Sequence, residues 1–580
     1  MANRWIISSQ NRRGAEKWFW APFVQKGTMR ERERAPSAPY NAPMALLVRN
    51  LALSLDEAEE ELRFRAAKRL RVPPGDIQEW RVVRRALDAR FKDRIAYVYN
   101  VELSLAGGAK EERRVLGRLH RADVAEVPRA PLTALENGNE PLEHRPIVVG
   151  FGPAGMFAAL WLARHGLRPL VLERGQGVKV RHRDILHRFY RQHEFDPESN
   201  LLYGEGGAGA YSDGKLYTRV NDPRMRDILQ VFVDHGGKPD ILIDSRPHLG
   251  SDWIPTLCRR IRKTIESLGG EVRFGARVDE IRIDDRRVSA IRVGTETLPL
   301  GPLLMGIGHS AHDTVRALIA AGVTIVAKPF QIGVRVEHPQ ALVDGWQYGP
   351  ACGHRRLPPA EYHLVAKGAA AGLGDVYSFC MCPGGMILPT NESAGLIATN
   401  GASNVSRSGR FANSGLVLTV PLDEIDNDPL VGLDFIQRWE RAAFDLTGGT
   451  YAVPAQRATD FLADRPSDGR LETSYPLGGR WANIRDILPA LATPAIQRAL
   501  ADLDARLKGF GGAEAVVTGP ETRASAPIRI LRDAETRESV STSGLFPIGE
   551  GAGYAGGIMS AAADGIATAE VLIRRYAPMR

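Results

Sequence analysis

The chain has 580 residues, 44% of them hydrophobic and 25% charged, with a formal charge of +8. That length is too great for one ordinary core, and the composition excludes fibrous, collagen-like and wholly disordered chains, so two or three globular domains are expected. Four cysteines cannot make a disulfide framework and no apolar run reaches the length of a membrane span, so reduced thiols and a cytoplasmic location are expected.

Residues 1–43 carry eight Lys/Arg against three Glu and show no period. They are expected to be a disordered extension, with Met44 as the functional start. The rest of the chain is then only slightly basic, and the charge is weak support for a nucleic-acid partner. From Met44 the pattern changes. "ALLVRNLAL" predicts a strand, and "SLDEAEEELRFRAAKRL" a helix with Ser54 as N-cap, acids in its first turn and bases in its last. "IQEWRVVRRALD" and "RIAYVYNVELSL" alternate like a strand pair. Residues 44–105 thus predict a small βαββ unit, basic at Lys68, Arg69, Arg71, Arg81, Arg84, Arg85, Arg90, Lys92 and Arg94. RNA or a partner protein could dock on such a face, but no run of strand aromatics for base stacking is present, and a solvated face is the simpler reading. A linker is expected over 106–145.

The apolar strand "PIVVG" then opens G-x-G-x-x-G at Gly150, Gly152 and Gly155, followed by the helix "AGMFAALWLARHG" and a second strand ending at Glu173. Gly150 allows the tight turn, Gly152 lets the backbone approach a pyrophosphate, and Gly155 lets helix and strand pack closely. The pyrophosphate is expected at the helix N-terminus, at Pro153 and Ala154, and Glu173, followed by Arg174, can accept hydrogen bonds from a ribose. An acid at 173 would repel a 2′-phosphate, which disfavours NADP at this site.

The choice between NAD and FAD comes from the far end. "GLFPIGEGAGYAGGIMSAAADGIATAEVL" is another apolar strand, then Glu550, a glycine-rich turn with Gly551 and Gly557, and a helix opening near Ile558. In flavoproteins of the glutathione-reductase type such a late segment returns to the FAD domain, and NAD dehydrogenases have no need of one. "RVDEIRIDDRRVSAIRV" fits the β-hairpin on the adenine side, where Val278 would touch the adenine through its backbone. "LLMGIGHSAHDTVRALIAAG", with Gly306 and Gly308, fits a further return of the chain to the same sheet. It lacks a following strand with a suitably placed acid, so NAD(P)H is expected only as an external reductant without a clear site.

On the strings "GFGPAGMFAA", "GEGGAGAYSDGKLYT", "GHSAHDT", "KPFQIGVRVEHPQ", "YSFCMCPGG", "ETRASAPIRI" and "GEGAGYAGGIMSAAADG" the chain resembles a family of bacterial and plastid FAD-dependent dehydrogenases over roughly 44–576. It departs at residues 1–43 and at His312, where Arg would be expected. The resemblance implies a resident, non-covalent FAD and an oxidoreductase-like protein, and it supplies no substrate. The expected architecture is α/β with α+β parts: a Rossmann-type FAD-binding domain in two pieces, 146–324 and 511–580, with a mixed central domain at 325–510 and the N-terminal unit before it.

Around the flavin, "GEGGAGAYSDGKL" can wrap a pyrophosphate and lie under the ring, through Gly206, Gly207, Ala208 and Ser212. Lys215 could stabilise a reduced anionic flavin or orient an acidic substrate; its alternative is a solvated lysine. Arg335 could clamp a carboxylate, or form a structural ion pair with Glu337 or another acid. Arg523 is the best single candidate for orienting an anion, its alternative being an inter-domain ion pair. His309, His312 and His338 are candidate proton donors, each more often structural. Cys380 and Cys382 would share a face of a strand. They are not a C-x-x-C pair, a C-x-C disulfide would be strained, and zinc would need two further ligands that no pair at ligand spacing offers, so no metal site is expected. Structural thiols are the simpler reading and a redox role the sharper one. Three functions follow: an FAD-dependent oxidoreductase of an unknown small molecule, an FAD-dependent modifier or binder of RNA or protein, and a protein whose flavin is structural.

Overall fold

The computed structural model describes residues 46–119, 121–127, 135–218 and 220–579. The expectation for residues 1–43 lies outside them. The fold is mixed α/β, built on three principal sheets.

The first sheet is antiparallel, with strands in the order Ile77–Asp88, Ala96–Leu105, Leu46–Ser54, Val124–Glu126. Leu46, Val48, Leu51 and Leu53 point into a core shared with Leu62, Ala66 and Leu70 of the helix Glu61–Leu70 and with Val115. Two expectations are corrected here. Ser54 does not cap the helix: it ends the strand, where its N–H donates to Glu57 Oε2 at 2.7 Å, and the helix starts only at Glu61. The stretch 106–145 is not all linker, because Gly108–Leu119 is a helix and Val124–Glu126 adds a fourth strand. Several of the basic residues are spent on ion pairs. Arg81 pairs with Glu102 and Arg69 with Asp123, and Arg85 reaches Asp240 (3.0 Å) and Asp244 (2.8 Å) on the next layer of the protein. The Arg85 N–H also donates to the Ile243 carbonyl at 2.7 Å, so this unit is stitched to its neighbour by backbone as well as charge.

The second sheet is parallel and runs Leu545–Pro547, Leu303–Met305, Ile147–Val149, Leu170–Glu173, Glu271–Phe274. Apart from the edge strand Glu271–Phe274, its strands are apolar because both faces are covered. The helices Pro153–Arg164, Ile254–Ser267 and Ile558–Arg575 cover one face; Val288, Ile291 and Leu298 of a small antiparallel sheet and Val315 and Leu318 of the helix His312–Ala320 cover the other. The helix Pro153–Arg164 is buried nearly all round, between the sheet and the helix Ile558–Arg575. Small residues make that fit: a Cβ on Gly565 would lie 2.1 Å from the Ala154 carbonyl oxygen. From Ile147–Val149 the chain goes to Leu170–Glu173 on one side and returns as Leu303–Met305 on the other. Strand order therefore reverses at the glycine turn, and a crevice opens at the carboxyl ends of these strands.

The third sheet carries the central part of the chain. Its order is Val365–Ala366, Val376–Pro389, Phe411–Val420, Phe330–Pro339, Val516–Glu521, Val453–Arg457, Gly479–Trp481, with Thr399–Ser403 paired to Val376–Pro389. The strand Phe330–Pro339 has sheet neighbours on both sides and is buried along nearly its whole length. Polar groups on it must find partners inside. Glu337, 1% exposed, accepts from the backbone N–H and hydroxyl of Ser474, and burial still raises its pKa to about 7. This folded-state value lies above the ordinary 4.5 of an unfolded glutamate. Its stabilising contribution is therefore complete below about pH 4.5 and lost as the pH rises through about 7. Glu337→Gln removes that dependence. The stability difference between variant and wild type is expected to move in the variant's favour by roughly 2–3 kcal/mol from pH 5 to pH 8, measured by urea denaturation at each pH. An unchanged difference would contradict this.

Candidate functional site

The crevice is the mouth of a cleft of about 630 Å³. One wall is the parallel sheet's own edge: Val149, Gly150 and Gly152, then Glu173 and Arg174, then Gly306 to Ser310, then Ile548 and Glu550. The N-terminal turns of two helices complete it, with Pro153 and Ala154 from one and Gly557 to Ala561 from the other. Ala276, Arg277 and Val278 close the end beyond Glu173.

The loop 199–218 lines the floor. It holds its course because Arg181, fully buried, donates to three of its carbonyls: Asn200 at 2.8 Å, Glu205 at 2.9 Å and Gly207 at 2.9 Å. Gly204, Gly206, Gly207 and Gly214 all take positive φ there, which a side chain would oppose. The glycine-rich string makes the loop legible in the sequence; nothing in the sequence points to Arg181 as its clamp.

The opposite wall comes from the central sheet and its neighbours: Phe379, Cys380, Asn400, Arg523 and Ala524, with Lys215, Tyr217 and Thr218 from the loop. Lys215 Nζ lies 3.0 Å from Asp213 Oδ2 and donates to the Met381 carbonyl. Burial opposes its charge, but Asp213 and the nearby thiols outweigh burial and its pKa is raised. Arg523 borders the cleft, yet Glu440 (2.6 Å) and Glu392 (3.1 Å) answer its charge. His309 is held neutral, burial lowering its pKa to about 3, and its Nδ1 sits 2.6 Å from Ser310 Oγ.

A model for FAD-dependent proteins of the C-terminal domain-like kind matches residues 329–524, and a domain of unknown function matches 46–104. An uncharacterised protein of Clostridium beijerinckii is 39% identical over 536 residues, 92% of this chain and 99% of that one. The chain belongs to this FAD-dependent family. Among solved structures, glycine oxidase from Geobacillus kaustophilus is similar at a TM-score of 0.33 and 11% identity, covering 75% of this chain and 96% of that one. A geranylgeranyl bacteriochlorophyll reductase-like protein from Thermoplasma acidophilum is similar at 0.31 and 13%, covering 75% and 78%. The assignment rests on the full-length relative and the family match.

The cofactor of this FAD-dependent family member is FAD, and the cleft fits it. At Gly152 an added Cβ would meet only Gly207 Cα, at 3.8 Å, so the turn leaves open space at a helix N-terminus whose free N–H groups suit a pyrophosphate. Gly150, Gly152, Pro153, Ala154, Glu173, Arg174, Gly207, Ala208, Ser212, Val278, Gly308, Glu550, Gly557 and Ile558 all line the cleft, with Lys215 and Arg523. The oxygens of Glu173 already accept from the N–H groups of Phe151, Gly175 and Gly204 at 2.7–2.9 Å, so the same carboxylate braces the turn from which it would meet a ribose.

Other expected site residues stand behind the FAD cleft. Gly155 packs helix on strand, its Cβ position 1.9 Å from the Gly150 carbonyl oxygen; Gly206 backs onto Cys258, and Gly551 onto the Gly308 backbone. The catalytic expectation for Arg335 is corrected. It is 0% exposed, and its guanidinium is spent on Glu521 (2.8 and 2.9 Å), Asn413, Asn400 and the Cys380 carbonyl. It cannot also clamp a substrate carboxylate; its partner is Glu521, not Glu337. His338 bonds the Phe510 carbonyl at 2.8 Å, and His312 Nδ1 lies 3.0 Å from Glu392, both buried away from the lining. Asn400, Phe379 and Tyr217 were not singled out by sequence reasoning, because a lone Asn, Phe or Tyr carries no spacing signal.

No helix among the described residues is long and apolar enough to cross a membrane.

Proposed function

We propose that the protein is an FAD-dependent oxidoreductase acting on a small molecule. The observation that carries this reading is the continuity of one cleft. It runs from Val278 and Glu173, past the glycine turns, to a second wall of Phe379, Cys380, Asn400, Lys215 and Arg523 that the dinucleotide-binding turns do not need. When bound, FAD supplies hydride or electron transfer at its isoalloxazine ring.

The chain's own residues then do three things. The apolar part of the second wall, Phe379 and Ala524, excludes water from the reacting end. Lys215, charged and steadied by Asp213, supplies a fixed positive group for an anionic substrate or for negative charge developing in the cleft. His309, neutral and held at Ser310, serves as a polar contact and not as a cationic acid.

The test is direct. The purified protein is expected to be yellow, and its flavin absorbance is followed anaerobically with NADH, NADPH and a panel of small metabolites. Rapid bleaching by a metabolite is the expected result. A protein that carries no flavin and cannot be reconstituted with FAD overturns the reading.

A further inference from the structure

Cys380 in the cleft wall and Cys382 behind it have no chemical role in the function above. The strand Val376–Pro389 is broken where they sit. Cys380 takes φ +44°, and the pairing with Phe411–Val420 shifts register between Phe379 and Cys382 and again before Gly385. The kink takes the two cysteines out of a regular strand. Cys380 is part-exposed and lines the cleft, while Cys382 is fully buried behind it.

Two cations hold the kink through successive carbonyls. Arg335 Nη1 donates to the Cys380 carbonyl at 3.2 Å, and Lys215 Nζ donates to the Met381 carbonyl. Cys382 Sγ lies 3.2 Å from the Cys380 carbonyl oxygen, which keeps the buried sulfur on its neighbour's side. The charged groups around Cys380 are Lys215, Arg335 and Asp213, with Glu521 behind Arg335. The hydrogen bond from Cys382, with Lys215 and Arg335, pulls the Cys380 thiol down to about 5, whereas burial and the neighbouring sulfur push Cys382 well up. A cleft-lining thiol flanked by Lys215 and Arg335, with a second thiol two residues on and buried behind it, is placed for redox chemistry and is not a pair of inert core cysteines.

We propose that Cys380 and Cys382 form a dithiol/disulfide couple that exchanges an electron pair with the FAD, giving the cleft a second redox centre. The proposal rests on FAD binding as argued above. In the reducing direction the Cys380–Cys382 S–S bond breaks and takes two electrons from reduced FAD. The one proton released with them forms the Cys382 S–H bond, Cys380 is left as the thiolate, and the flavin is left oxidised. A C-x-C disulfide is strained, which makes it a better electron acceptor than a relaxed disulfide. Closing it again needs an oxidant of the disulfide or diazene class that reaches Cys380 through the cleft; diamide serves in the test.

The holoprotein is treated with diamide, desalted, and titrated anaerobically with dithionite while flavin absorbance is read. Wild type is expected to consume one electron pair per chain before the flavin bleaches, and Cys382→Ser to bleach from the first addition. Cys352→Ser, altered at an exposed cysteine, is expected to keep the lag. In parallel, wild type is unfolded in an alkylating agent before and after diamide. Cys380 and Cys382 are expected to become unreactive together, with a mass change showing an internal bond, while Cys258 and Cys352 stay reactive. Bleaching without a lag in wild type, with all four cysteines still alkylated after diamide, overturns the proposal. Loss of FAD would instead sink the flavoprotein reading, and the alkylation pattern would still report on the pair.

Discussion

Gly152→Ala is expected to strip the protein of FAD while leaving it folded. Gly152 has φ −75° and ψ −176°, which any residue adopts, and the only atom near its added Cβ is Gly207 Cα at 3.8 Å. The methyl group therefore costs the apo fold within about 1 kcal/mol, the usual range for changing an N-cap. It does, however, occupy the space at the helix N-terminus where a pyrophosphate must come within contact of the backbone. A clash that costs about 3 kcal/mol corresponds to roughly a hundredfold loss of FAD affinity. Gly155→Ala makes the contrast. Its methyl would lie 1.9 Å from the Gly150 carbonyl oxygen, inside the protein, so it should lower stability by roughly 3 kcal/mol or more. Flavin content on purification, FAD titration of the apoprotein and urea midpoints separate the two. Wild-type FAD affinity in Gly152→Ala would show that the turn does not carry the pyrophosphate.

Arg335→Met is expected to be among the most destabilising single changes in the molecule, at about 3–5 kcal/mol, because it leaves Glu521 buried and unpaired. Both side chains are 0% exposed, and the pair is bidentate at 2.8 and 2.9 Å. Truncating one partner costs the desolvation of the other, which exceeds the net worth of the pair. The double variant Arg335→Met, Glu521→Leu removes both charges and should recover most of the loss. Chemical denaturation of the wild type, both single variants and the double variant closes the cycle. A loss below about 1 kcal/mol, or a double variant no better than the single, would mean that the pair is not buried as described. Were Arg335 a substrate clamp, the change would instead raise KM with stability intact.

The parts legible in the sequence share a physical basis. The G-x-G-x-x-G turn, the strand to Glu173 and the late "GLFPIGEGAG" segment are local. Each is written in apolar runs and glycine positions that only one backbone course satisfies. Gly150, with φ +93° and its Cβ position 2.3 Å from the Gly306 carbonyl oxygen, could hardly be another residue. Ser54 misled for a local reason too: it sits where acids gather, but Glu57 turns back to its N–H and ends the strand instead of starting the helix.

Charge partners were not legible, because they are set by which strands become neighbours. Arg335 meets Glu521, 186 positions away, and not Glu337 two positions on the same strand. Arg523 finds Glu392 and Glu440, and Arg181 finds three loop carbonyls, through contacts that no spacing rule encodes. The same holds for the thiols. Sequence alone placed Cys380 and Cys382 two apart. A kink held by Lys215 and Arg335, from two distant parts of the chain, decided that one faces the FAD cleft and the other lies buried behind it. By itself the sequence determined that this protein builds a dinucleotide site of two glycine turns, since backbone sterics act between near neighbours. Only the tertiary structure decided which charges are spent on one another and which face the cleft, since burial and ion pairing depend on what the fold brings together.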